Sequence, residues 1–151
     1  MQEEWVYFVH GTTTSRWAGD MIDPTQGGGD FGCGFYAFAD NRWGRQAAGA
    51  WARLKARQGG EPILVRVGMR RAEFEALDRQ DVSPEDLGAA HRQYSRYGLA
   101  GKEVVVGVVG RRGVDGKRVP DYRLPLQYKF EGTGVTKLVI DGVIPVGGAE
   151  R

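Results

Sequence analysis

The stretch Asp30-Phe31-Gly32-Cys33-Gly34-Phe35-Tyr36 decides how the rest of the chain is read. Two glycines at alternate positions precede an aromatic pair, so a ligand is able to lie against bare backbone while Tyr36 offers a flat π-face. Working outward, Gly34 to Ala39 reads as a short strand. Upstream, the β-branched and aromatic run Trp5-Val6-Tyr7-Phe8-Val9 reads as a strand buried on both faces, and it delivers His10-Gly11-Thr12 to a loop. Residues 13–34 carry six glycines and several Thr, Ser, Asp and Pro. A connection this long inside a compact domain marks a binding loop, with a short helix expected around Arg16 to Ile22.

Downstream, Asp40-Asn41 supplies an N-cap for a helix over Arg42 to Arg57, stopped by Gly59-Gly60. Trp43, Ala47, Ala50, Trp51 and Leu54 fall near one of its faces. Pro62 to Val67 reads as a strand and Arg71 to Leu77 as a short helix or turn. Ser83-Pro84-Glu85-Asp86 starts a helix expected to run to Tyr97, with Pro in the first turn and carboxylates at the positive end. Glu103 to Val109, Tyr122 to Phe130 and Thr136 to Ile144 give three more strands, separated by glycine-rich turns at Gly110 to Gly116 and Gly132 to Gly134. This order lacks the regular alternation of a doubly wound sheet, so the expectation is an α+β domain with two small mixed or antiparallel sheets.

A length of 151 residues, 41% apolar and 26% charged, fits one globular domain that buries roughly two-thirds of its unfolded surface. Twenty-four glycines, about twice the usual share, agree with many tight turns between short strands. A formal charge of +2 singles out no partner class. Cys33 is the only cysteine, which rules out an internal disulfide, and two distant histidines without a cysteine pair predict no metal site. No apolar run is long enough to span a bilayer, and Met1-Gln2-Glu3-Glu4 does not open a secretory signal, so a cytoplasmic location is expected.

A histidine at the end of a buried strand, followed by Gly and Thr, is able to hydrogen-bond a ligand that the glycine backbone approaches closely; a satisfied core histidine is the plainer alternative. Tyr36 on a strand is ordinarily core as well. Against a cationic heterocycle, though, its ring contributes about 0.5–2 kcal/mol. His91, beside Arg92, reads as solvated, and Cys33 has no predictable base beside it.

These residues together resemble the ADP-ribosyltransferase family, in its diphtheria-toxin and poly-ADP-ribose polymerase branch. The chain is more closely similar to bacterial domains of that kind that share His-Gly-Thr or His-Gly-Ser, then Asp-Phe-Gly-x-Gly-Phe-Tyr, then a Gln-Ala-rich helix with Trp-Ala. Here those parts are His10 to Thr12, Asp30 to Tyr36, Gln46-Ala47-Ala48 and Trp51-Ala52; Lys102 to Gly107 and Gln127 to Phe130 extend the likeness over most of the chain. The resemblance implies an ADP-ribosyltransferase-like fold with a split core and NAD+ as substrate. It implies that His10 binds the adenosine ribose, the Gly11 backbone holds the nicotinamide amide and Tyr36 stacks on the nicotinamide ring. Thr12, Phe31, Gly34 and Phe35 complete the binding set, and Trp51 closes the pocket from the helix.

The third motif residue in this branch is usually Glu, whereas the alignment places Gln127 there. Gln keeps a hydrogen bond to the nicotinamide ribose but brings no negative charge to a developing cation, an effect worth several kcal/mol in a dry site. Glu103, Glu131 and Asp121 are the candidates for the missing charge, with Glu103 the better placed. Between Arg111 and Lys129 six cations with Tyr122 and Tyr128 interleaved suit a nucleic-acid acceptor, although an acidic protein patch or a solvated turn accounts for the same charges. Three activities follow: a mono-ADP-ribosyltransferase acting on RNA or protein, an NAD+ glycohydrolase, or a catalytically weak NAD-binding module. Relatives of this kind are often toxin modules at the C-terminal end of larger secreted proteins, paired with an immunity protein and acting in the cytoplasm of a target cell.

Overall fold

A computed structural model describes residues 4–17, 19, 22–23, 29–94 and 98–147. In chain order they form β1 (Trp5–Thr13), β2 (Phe35–Ala39), α1 (Arg42–Ala56), β3 (Pro62–Arg70), α2 (Arg71–Glu75) and β4 (Arg79–Val82). A 3-10 turn (Pro84–Asp86) then leads into α3 (Leu87–Tyr94), followed by β5 (Val104–Gly107), β6 (Gly110–Arg112), β7 (Arg118–Pro120), β8 (Gln127–Phe130), α4 (Thr133–Thr136) and β9 (Val139–Pro145).

The protein is α+β, as its element order predicts. The expected pair of small sheets is corrected: one seven-stranded mixed sheet, in the order β4-β5-β8-β2-β1-β3-β9, forms the body, and β6 and β7 make a separate hairpin. Only β4 and β5 run parallel. The large sheet is nonetheless weakly joined at its middle. β1 and β3 pair over nine residues, but β1 and β2 pair only at Phe8↔Ala39 and Val9↔Phe38, and the ladder stops immediately before His10.

Strand alternation assigns the two faces. One carries Phe8, Phe35, Ala37, Val65, Val67 and Phe130, closed by Phe74 of α2 and Val135 of α4, with Trp17 and Ile22 packed against it. The other carries Val9 and Leu64 beneath Ala48 of α1, and Val105 beneath Leu87, Ala90 and Tyr94 of α3 with Phe31.

The buried face of α1 is made of small residues. Gly44, Ala47, Ala48, Gly49 and Ala52 face the sheet, while Trp43, Trp51 and Leu54 are about half exposed. Small residues win because the helix lies almost on the strand: a Cβ built on Gly11 would stand 2.1 Å from the Ala48 carbonyl oxygen. Asn41 caps the helix as predicted, its side chain accepting from the Gly44 N–H at 2.7 Å.

Other boundaries shift for local reasons. The expected strand over Tyr122 to Phe130 forms only from Gln127, since Pro125 offers no ladder donor and Asp121 holds a turn, accepting from the Arg123 N–H. The glycine-rich segment from Gly110 to Gly116 is a hairpin with its turn at residues 113–116. α4 takes the start of the strand expected from Thr136, and β4, with its polar Arg79-Gln80-Asp81, is a strand that no periodicity announced. Much of the helix expected around Arg16 to Ile22, and the predicted end of the helix at Tyr97, lie outside the described residues. No helix is long and apolar enough to cross a membrane among the described residues.

Candidate functional site

His10 stands where the β1–β2 ladder ends. Its ring takes over from the missing main-chain pairing: Nδ1 lies 2.5 Å from the Tyr36 carbonyl oxygen. A carbonyl only accepts, so Nδ1 carries the proton and Nε2 is left as a bare acceptor. The ring packs on Phe35, with centroids 4.4 Å apart. Burial, and then the positive charge of Lys55, pull the imidazole pKa down to about 4, against the opposing pull of the Tyr36 carbonyl. At neutral pH His10 is therefore an uncharged wedge whose second ring nitrogen has no hydrogen-bond partner among the described residues.

This has a consequence for stability. Between pH 6.5 and 4 the unfolded chain binds a proton at His10 that the folded chain refuses, so stability falls as pH falls through that window, by no more than about 3 kcal/mol. Denaturation of wild type and His10→Gln at pH 7, 5.5 and 4 checks it. The wild type is expected to lose about 2–3 kcal/mol more than the variant across that range; equal losses would show the ring to be solvated.

Tyr36 projects from β2 beneath the loop that precedes it. Its hydroxyl donates to the Gly32 carbonyl at 2.5 Å and accepts from the Phe31 N–H at 3.0 Å. Burial, partly offset by that N–H, raises the phenol above its ordinary range, so it stays protonated. Phe31 itself is fully buried in the α3 core and presents no face to a ligand. Gly34 has a structural reason of its own: a Cβ there would meet Cδ of Lys129 at 2.2 Å. Thr12 is buried and Phe35 is 4% exposed, both in the frame of the site.

The Gly11 carbonyl accepts from Lys55 Nζ of α1 at 2.8 Å, and that ammonium lies 5.8 Å from the Trp51 ring centroid. Thus His10, Phe35, the Tyr36 backbone, Gly11, Lys55 and Trp51 form one neighbourhood where β1 and β2 part.

Gln127 lies across β2 from that point, opposite Phe38 in register, and is 7% exposed. Its Nε2 donates to Asp30 Oδ2 at 2.9 Å and to the Val108 carbonyl at 3.2 Å. No described residue donates to its Oε1, which therefore remains an acceptor.

The three carboxylates expected to supply charge are all committed elsewhere. Glu103 accepts from the Asp78 N–H and from Thr133 Oγ1. Glu131 pairs with Lys129 and accepts from the Ala100 and Gly101 N–H groups. Asp121 is held by Arg123, which keeps its carboxyl well below the usual range. The carboxylate nearest Gln127 is one that the sequence placed inside the motif without assigning it a task. Asp30 is 5% exposed and accepts from the Gly110 N–H at 2.7 Å and from Arg118 Nη2 at 2.7 Å and Nε at 3.0 Å, besides Gln127. Four donors on one buried carboxylate tie the motif loop to the β6–β7 hairpin and to β8. The sequence signal was present, an acidic residue opening the most specific motif, but its partners lie 80 to 97 residues away.

A cavity of about 430 Å³ opens at the other end of β1, among Trp5, Phe8, Asp40, Arg66, Phe74 and Tyr128. It does not include His10. No group of three or more His, Cys, Asp or Glu side chains is placed to hold a metal ion among the described residues. The fold and the site thus define an α+β domain whose central sheet is parted by a neutral histidine. No protein-family model, curated protein or solved structure matches the chain.

Proposed function

We propose that this domain has an ADP-ribosyltransferase-like fold and is a mono-ADP-ribosyltransferase that cleaves NAD+ and passes ADP-ribose to a macromolecular acceptor. One observation carries the reading: a part-buried, neutral, tautomer-fixed His10 parts β1 from β2 at the point where the Asp30 to Tyr36 motif begins its strand. Its free Nε2 suits a ribose hydroxyl, the Tyr36 ring suits the nicotinamide plane, and Gln127 Oε1 suits the 2′-hydroxyl of the second ribose. In the reaction the C1′–N bond breaks and nicotinamide leaves with its electron pair. The acceptor's nucleophile then bonds to C1′ and loses its proton to solvent. Because Asp30 is neutralised by Arg118, the developing cation meets the amide dipole of Gln127 and, among the described residues named above, no uncommitted carboxylate, which favours slow transfer.

That same neutrality favours a second reading, a domain that binds NAD+ and hardly turns it over. The exposed cations Arg111, Arg112 and Arg123 beside the 68%-exposed Tyr122 support RNA as the acceptor in the first reading. A bacterial toxin or effector, acting in the cytoplasm of a target cell and held by an immunity protein, is the setting this chemistry suits.

Incubation with radiolabelled NAD+ and a whole-cell lysate, followed by separate nuclease and protease digestion, tests the reading. Label is expected in macromolecular material and is lost on nuclease treatment, and His10→Ala is expected to lower labelling at least about 100-fold. Free ADP-ribose without labelled macromolecule would identify a glycohydrolase. NAD+ binding without turnover would leave the binding module, and an absence of binding would sink all three.

A further inference from the structure

The cavity of about 430 Å³ at the far end of β1 has no part in the function proposed above. Small-molecule sites span about 300–1,000 Å³, so it is large enough to hold a ligand. Its walls are mostly rings. Phe8, Phe74 and Tyr128 pack on one another with centroids 5.0, 5.5 and 6.1 Å apart. Trp5 and Tyr7, two residues apart and so on one face of β1, stand 6.4 Å apart and 20° from parallel. Gly68 lies opposite Tyr7 in β3, where a Cβ would come within 2.8 Å of the Tyr7 ring and 3.3 Å of the Trp5 ring. Glycine there lets both rings settle on the strand. α1 covers the same face of β1 at Val9 and Gly11, whereas Trp5 and Tyr7 stay partly exposed.

The polar groups narrow the ligand. The guanidinium carbon of Arg66 lies 3.6 Å from the Tyr7 ring centroid, and that of Arg70 lies 5.9 Å from the Trp5 centroid. A cationic ligand would meet these resident cations beside the π-faces it needs. The Asp40 carboxylate is already claimed, accepting from Arg45 Nε at 2.5 Å and from Arg66 Nε at 2.6 Å. A small inorganic ion would lose its hydration against apolar walls. A neutral planar ring with a polar edge fits these surroundings. The Tyr7 and Tyr128 hydroxyls have no hydrogen-bond partner among the described residues, so both are left to pair with such an edge. At the rim Arg71 donates through Nε to Glu4, and its Nη groups have no partner among the described residues. A nucleotide unit of a single strand combines these features: a neutral base that stacks on aromatic rings and guanidinium planes, and a phosphate outside the stack.

We propose that this cavity takes a base of a single-stranded nucleic acid, stacked against Trp5, Tyr7 and the Arg66 plane, with the adjoining phosphate at Arg71. Trp5 and His10 are five residues apart on β1, which separates this site from the histidine by about 17 Å. Where the strand is the ADP-ribose acceptor, the assignment rests on the function proposed above. Strand binding itself does not.

Fluorescence anisotropy on the intact chain tests it with a short labelled oligoadenylate. Wild type is expected to bind the single strand at least about 10-fold tighter than its duplex with oligouridylate, whose bases are already stacked and paired. Trp5→Leu is expected to weaken single-strand binding by about 5–100-fold and to leave binding of inorganic polyphosphate unchanged, and Trp5→Phe is expected to restore much of the loss. Arg71→Gln, at an exposed position, is expected to weaken the single strand severalfold and to reduce the salt slope by about one, and it serves if Trp5→Leu does not fold. Unchanged oligoadenylate binding in both variants, or a wild-type preference for the duplex, would overturn the site. So would Trp5-dependent binding of N-acetyltryptophanamide tighter than that of adenosine, which would make the cavity a protein-docking pocket. Trp5-dependent strand binding without any NAD+ cleavage would retain the site while removing the transferase.

Discussion

Asp30→Ala is expected to destabilise the protein by about 3–5 kcal/mol, because removing one partner of a buried charge pair leaves the other uncompensated. The carboxylate accepts from Arg118 at 2.7 and 3.0 Å, from the Gly110 N–H at 2.7 Å and from Gln127 Nε2 at 2.9 Å. With alanine there, a buried amide N–H loses its acceptor, while a guanidinium that is 29% exposed and a buried glutamine amide each lose one acceptor and keep the Gly110 and Val108 carbonyls respectively. Asp30→Asn keeps the shape but turns an NH2 group or a single neutral oxygen toward these donors, so it is expected to recover only part of the loss. Chemical denaturation of both Asp30 variants, with Arg118→Met and Asp30→Ala/Arg118→Met completing the cycle around Asp30→Ala, measures the coupling. A loss below about 1 kcal/mol for Asp30→Ala would place the network at the solvated rim instead of the core. The network also fixes the side-chain amide of Gln127. Both Nε2 protons are used by Asp30 and Val108, so Oε1 is the atom left for a ligand. Under the transfer proposed above, labelling by Asp30→Asn is expected to fall by more than its lost stability accounts for, since the amide loses its fixed direction while the fold survives.

The Lys129–Glu131 pair is expected to show the other large effect, with a different pattern. Lys129 is fully buried at the centre of β8, opposite Tyr36 in register, and its ammonium meets the Glu131 carboxylate. Burial alone raises the Glu131 carboxyl. Lys129 and the Gly101 and Ala100 N–H groups outweigh that and hold it below its ordinary value. Glu131→Gln leaves a buried ammonium without its counter-charge and is expected to cost about 3–5 kcal/mol. Lys129→Met removes that ammonium, fills similar space and leaves Glu131 with its two N–H donors, so it is expected to cost less. Combined, the two changes are expected to be milder than Glu131→Gln alone, giving a coupling of several kcal/mol in the double-mutant cycle. Simple additivity by thermal or chemical denaturation would show that solvent reaches the pair. Because the Lys129 stem occupies the space a Cβ on Gly34 would need, Lys129→Ala, and not the methionine variant, tests whether the motif loop depends on that stem.

Period and local chemistry were legible along the chain. Trp5 to Val9, Gly34 to Ala39 and Pro62 to Val67 are apolar or β-branched enough to be strands in any setting. Asn41 followed by an alanine-rich run makes a helix, because the cap and the propensity act within a turn or two. The motif Asp30 to Tyr36 was recognisable for the same reason, as a run of adjacent residues.

Tertiary structure alone decided three other things. The shared face of Trp43, Trp51 and Leu54 did not say which side of α1 meets the sheet; the sheet takes its alanines and glycines, because the distance between helix and strand, and not the periodicity, sets which side chains fit. The sequence named Glu103, Glu131 and Asp121 as possible charges; each was claimed by a partner that only folding brings near, whereas Asp30 reached Gln127 across 97 residues. Nor could composition say that His10 would end a ladder. The β1–β2 pairing stops one residue before it because the imidazole supplies the hydrogen bond to Tyr36 that the main chain no longer makes. Main-chain propensity is a property of neighbours in sequence. Burial, charge neutralisation and the parting of two strands are properties of neighbours in space, and the chemistry proposed for this domain depends on the second kind.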